Sequence, residues 1–150
     1  MNIDNFQTPY QNKDHDILIE ALPIYLEEQS HPEKNQFFYA YSVRITNLGQ
    51  KPVTLINRHW IIIDGTGERR EVQGEGVVGE TPKIEPNENF TYQSLCPLKT
   101  PTGNMRGHYE FETESGENFR VEIPLFFLRP FDQLGDERGL YRSIESSSIQ

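Results

Sequence analysis

The residues with the most explicit chemical reading lie together, as Gly74-Glu75-Gly76-Val77-Val78-Gly79. This spacing fits G-x-G-x-x-G, which in a dinucleotide-binding fold lets the backbone approach a pyrophosphate at a helix N-terminus. That chemistry needs a strand before the glycines and a helix after them. Thr81-Pro82 stops any helix just past the last glycine. Glu75 and Glu80 would repel a pyrophosphate, with Arg69, Arg70 and Lys83 as the nearby offsetting charges. The reading that fits better is an exposed glycine loop, with glycines supplying positive φ or close packing, on which a partner docks. The candidate binding residues are Gly74, Glu75, Gly76, Gly79 and Glu80, with Arg58, Arg69 and Arg70 beside them.

Other reactive side chains assemble less. In Arg58-His59-Trp60, strand geometry puts Arg58 and Trp60 on one face and His59 on the other. Trp60 is expected in the core, with Arg58 stacked on it or paired with a carboxylate. His108 and Glu110 share one strand face, but no third and fourth metal ligand is apparent, so no metal site is expected. Cys96 precedes Pro97 with no nucleophile motif around it and is read as a small buried hydrophobe. No base, nucleophile and oxyanion site come together. The expectation is a non-enzymatic domain without a cofactor.

The elements that must position these residues are strands. Alternation is clearest over Phe37 to Thr46 and recurs over Ile17–Leu26, Val53–Ile63, Glu68–Gln73, Asn89–Cys96, Met105–Glu112 and Asn118–Leu125. Pro23 places the first of these at a sheet edge or bulge, and Ile61-Ile62-Ile63 suits a central strand buried on both faces. About seven strands with turn signals between them, and no helical period, predict an all-β antiparallel sandwich. The 150 residues divide into a flexible N-terminal segment over 1–15, one domain over 16–131 and a polar, disordered tail over 132–150.

A net charge of -9 argues against nucleic acid or an anionic membrane as a partner. One cysteine and no long apolar span point to a reducing, cytoplasmic setting. Sandwich edges leave a homodimer open.

Three stretches carry a family resemblance: Arg58-His59-Trp60, Glu71 to Pro82, and Cys96 to Tyr109, with Ile123-Pro124 near the end of the last strand. In this order and spacing they resemble the ApaG family over about residues 16–131. The resemblance implies an immunoglobulin or fibronectin type III-like β-sandwich and no established catalytic activity. It also implies a link of bacterial members to diadenosine polyphosphate metabolism and to cobalt and magnesium handling, and a protein-binding role for related eukaryotic domains. The expected function is therefore a protein-binding module working through the glycine loop and a sandwich edge, for an unidentified protein partner. The alternative is a small-ligand module binding pyrophosphate-containing nucleotides or divalent cations at the same loop.

Overall fold

The computed structural model describes residues 8–130. The tail expected over 132–150 and the first seven residues of the expected lead-in lie outside the described residues. Among the described residues nine strands form: β1 (Tyr10–Asp14), β2 (Ile17–Tyr25), β3 (Phe37–Asn47), β4 (Val53–Asp64), β5 (Arg69–Glu75), β6 (Lys83–Ile84), β7 (Asn89–Leu98), β8 (Gly103–Thr113) and β9 (Asn118–Leu128). They make two antiparallel sheets, one ordered β1-β2-β3-β7 and the other β5-β4-β8-β9, with β6 on β4. The all-β sandwich is the expected architecture, with nine strands in place of about seven.

Two strands were not anticipated, and one lies in the N-terminal segment read as flexible. Residues 10–14 of that segment pair with β2 from Tyr10↔Ala21 to Asp14↔Ile17. β6 adds two residues to β4. The register of β1 also explains Pro23. β1 reaches only to Ala21, so Pro23 is paired on one side alone, with Tyr41 of β3, and its missing N–H breaks no ladder. The isoleucine run differs from expectation as well. β4 is central, but only Ile62 is buried while Ile61 and Ile63 are half-buried, so the strand buries one face.

The inward faces meet in an aromatic core. Trp60 is buried and packs edge-on against Tyr41 at 5.1 Å, Phe126 at 5.9 Å and Tyr109 at 6.2 Å between ring centroids. Edge-to-face contacts of this kind add to the area term, since positive ring edges meet negative faces. At the far end of the core Asn47 ties three segments, donating from Nδ2 to the carbonyls of Lys51 and Ile84 and accepting from the Gly49 N–H. On the outer face of the first sheet Arg44 clamps Glu20 bidentately, at 2.7 and 2.9 Å.

Opposite Trp60 in β8 stands Gly107, where the β8/β9 register shifts. A Cβ there would lie 1.9 Å from the His59 carbonyl oxygen. Backbone cannot yield as a flexible side chain does, so Gly107→Ala is expected to lower stability by about 3 kcal/mol, the upper part of the overpacking range. A urea midpoint unchanged from wild type would contradict this close approach.

Candidate functional site

The site starts where β4 and β5 pair. Arg58 of β4 lies directly across from Gly74 of β5, and a Cβ on Gly74 would sit 2.9 Å from Arg58 Nη1. The absent side chain lets the guanidinium lie against the β5 backbone. From there Nη1 donates to the carbonyl oxygens of Glu75 and Gly76, each at 3.0 Å. Charge-assisted bonds to two successive carbonyls hold the start of the loop in place. Gly76 has φ 62°, its N–H donates to the Ile56 carbonyl, and a Cβ there would lie 2.0 Å from the Glu80 carbonyl oxygen. Only glycine fits.

Beyond Gly76 the chain makes a two-residue hairpin. Val77 N donates to Glu80 O at 2.8 Å and Glu80 N to Val77 O at 2.9 Å. The central residues Val78 and Gly79 have φ of 42° and 81°, the positive pair that a type I′ turn requires. Gly79 suits that conformation and Val78 does not, because a β-branched residue at positive φ is strained. Val77 is fully buried beneath the turn, whereas Val78 is 53% exposed at its tip. Glu75, Gly79 and Glu80 are exposed around it.

The sequence-derived candidates thus divide. Gly74, Glu75, Gly76, Gly79, Glu80 and Arg58 come together. Arg69 and Arg70 do not. Arg70 pairs with Ile62, four residues up the strand from the Arg58 rung and so about 13 Å away. Its Nη2 donates to the Pro97 carbonyl at 3.3 Å, beside Cys96 Sγ. Arg69 pairs with Glu71 in solvent, and Lys83 reaches Glu114. The glycines therefore face one cation, Arg58, for which the expected stacking or carboxylate pairing gives way to carbonyl binding. Three loop amides, those of Gly76, Val77 and Glu80, are already used by backbone carbonyls.

Behind Arg58 lies a tyrosine cluster that sequence reasoning missed. Tyr92 of β7 and Tyr109 of β8 share a short hydroxyl hydrogen bond across the sandwich, and Tyr41 packs edge-on to Tyr92. Burial pushes Tyr41 up to about 12 and Tyr92 and Tyr109 well above the usual phenol range, which the nearby Arg58 cation only partly offsets. The inward alternation of these tyrosines was visible, but not their meeting across two sheets.

The outer face of β4 and β8 is polar. His59 Nε2 lies 2.7 Å from Glu71 Oε1, and this contact, with Arg69, holds the Glu71 carboxyl below its usual range. His108 meets the His59 ring at 5.0 Å, and partial burial lowers its pKa. Glu110 accepts from Asn57 Nδ2. Asn57, His59, His108 and Glu110, with Arg58, Gln73, Gly74 and Glu75, line an open groove of about 450 Å³. Among the described residues no three His, Cys, Asp or Glu side chains form a metal-holding group. Cys96 is buried, and desolvation pushes its thiol up to about 11, which keeps it protonated near neutral pH.

With this geometry in view, similarity to known proteins is decisive. The family model described as the ApaG domain matches residues 27–113. The chain belongs to the ApaG family. Protein ApaG of Agrobacterium fabrum is 49% identical over 133 residues, 89% of this chain and 97% of the relative. Protein ApaG of Bdellovibrio bacteriovorus is 49% identical over 113 residues, 75% and 89% of the two chains. Among solved structures, an ApaA protein from Bordetella pertussis aligns with a TM-score of 0.75 at 47% identity, covering 81% of this chain and 95% of that one. The C-terminal domain of Wzt aligns at 0.52 with 8% identity, over 86% and 88% of the chains, which shows a shared fold alone.

Two outcomes follow for this ApaG domain. Asparagine tolerates the left-handed conformation, so Val78→Asn should raise stability by about 1 kcal/mol through relief of strain. Urea unfolding checks this, and a lower midpoint would show that Val78 is not strained. The second concerns alkaline pH. Unfolded phenols lose their protons near 10, while the folded cluster keeps them to about 12 or beyond. The native state then holds more protons, so stability falls as pH rises above 10, by up to about 1.4 kcal/mol per pH unit for each tyrosine. Denaturation at stepped pH measures the slope, and Tyr41→Phe should make it shallower.

Proposed function

We propose that this chain is a non-catalytic protein-binding module that presents the 74–80 loop to its partner. The observation that carries the reading is Val78, an exposed apolar side chain held in a strained conformation at the tip of a turn. Strain of this kind persists where the surroundings impose it, and here Arg58 and the Val77–Glu80 bonds do so. A rigid apolar tip loses little entropy on docking. Glu75 and Glu80 beside it favour a partner whose apolar pocket has a basic rim.

A cytoplasmic setting fits the single buried cysteine, and no described helix is long and apolar enough to cross a membrane. A link to divalent cation (cobalt/magnesium) homeostasis would run through the partner. The small-ligand reading is weaker, because the amides of Gly76, Val77 and Glu80 already donate to backbone carbonyls and Arg69 and Arg70 bind elsewhere.

The test is capture from cell extract on immobilised full-length protein. Wild type should retain partners that Val78→Asp loses, while Leu125→Asp on β9 keeps them, all three being checked for folding. Equal capture by wild type and Val78→Asp would overturn the loop as the docking site. NMR titration with diadenosine tetraphosphate and magnesium, if it shifted the Val78 and Gly79 amides saturably, would favour the small-ligand reading.

A further inference from the structure

The two sheets end in four edges: β1 and β7 in one, β5 and β9 in the other. Edge strands expose unpaired N–H and C=O groups, and proteins commonly blunt them with charges or proline. β1 carries Lys13 and Asp14, β5 carries Arg69, Arg70, Glu71 and Glu75, and β9 carries Arg120, Glu122 and Pro124. β7 differs. Its ten residues, Asn89–Leu98, include no charged side chain, and its one proline, Pro97, sits near the end where Arg70 already binds the backbone. Leu95 is 51% exposed on the outward face, in line with Thr91 and Gln93.

We propose that β7 pairs antiparallel with β7 of a second copy about a two-fold axis at Gln93, joining two four-stranded sheets into one of eight. In this register Gln93 faces its own copy, Thr91 faces Leu95, and Asn89 faces Pro97. The two Gln93 amides each offer a donor and an acceptor, so the central pair is self-complementary. The Thr91 methyl covers Leu95, and Pro97, which lacks an N–H, falls at the margin. Such a contact is isologous and closes as a dimer.

Charge argues for a copy over a foreign strand. The chain carries -9, so a foreign partner drawn by electrostatics would be basic and would seek carboxylates. The other three edges offer them and β7 offers none. A second β7 brings an uncharged strand of equal length and sets no carboxylates face to face. Repulsion between the two acidic bodies remains, so the dimer tightens as salt screens it. A contact of edge strands alone falls at the small end of interfaces, which places dissociation in the micromolar to millimolar range.

Sedimentation velocity of the full chain from about 10 μM to about 1 mM tests this. Wild type should show a monomer–dimer equilibrium strengthened by added salt. Thr91→Lys and Gln93→Lys should each weaken it by about tenfold or more, since each sets lysines into the pairing edge. Val72→Lys on β5 and Val78→Asn in the loop should leave it unchanged, which separates this interface from loop docking. Thr91 is exposed, so its variant stays informative even if Gln93→Lys loses stability. A monomer at every concentration, a dimer indifferent to the β7 lysines, or a dimer lost in Val72→Lys would each overturn the proposal.

Discussion

The hydroxyl bond between Tyr92 and Tyr109 is the constraint on which the sandwich depends. Each phenol comes from a different sheet, both are buried, and each would lose a hydrogen bond without the other. A buried polar group without a partner costs more than a well-placed pair gains, so the bond works chiefly by excluding alternatives. A one-residue slip of β7 or β8 would turn its tyrosine to the opposite face and leave the other phenol stranded. The rings of Trp60, Tyr41 and Phe126 close around the pair, so the same contact sets both register and core packing.

From this centre the order passes outward through Arg58. It sits two residues before Trp60 on the same strand, beside the tyrosines and against the Gly74 backbone. Bound to the Glu75 and Gly76 carbonyls, it converts the rigidity of the core into rigidity of the loop. Lysine could not substitute well, since a point charge lacks the planar group that lies flat on a strand. The strained Val78 follows from this arrangement. A loop free to relax would move Val78 into an ordinary β or helical conformation.

Much of the fold was legible because burial on one face writes period-two alternation into a strand. That signal fails where a strand has no buried face or too few residues. Tyr10-Gln11-Asn12-Lys13-Asp14 is mostly polar and becomes β1 only because β2 offers an open edge. Lys83-Ile84 is too short to show any period. At the site, the glycines pointed to the loop, but G-x-G-x-x-G obscured the shorter signal inside it, Val78-Gly79 as the centre of a hairpin. Arg69 and Arg70 looked close in sequence, yet an extended strand carries them away from the glycines. The role of Arg58 was illegible for another reason: its partners are backbone carbonyls, which no residue type announces.

Electrostatics bears on the loop as well as on the body. Many carboxylates of the described residues are already engaged: Glu20 by Arg44, Glu71 by His59 and Arg69, Glu114 by Lys83, and Glu122 by Arg120. Glu75 and Glu80 are exposed and flank the exposed Val78. Exposed charges contribute little affinity but set encounter rate and orientation. In the proposed docking, the apolar tip would supply the buried contact. Under the docking role proposed for this loop, selection of a partner would divide between two residue types, with the glutamates governing approach and its salt dependence, and Val78 governing how long the complex lasts.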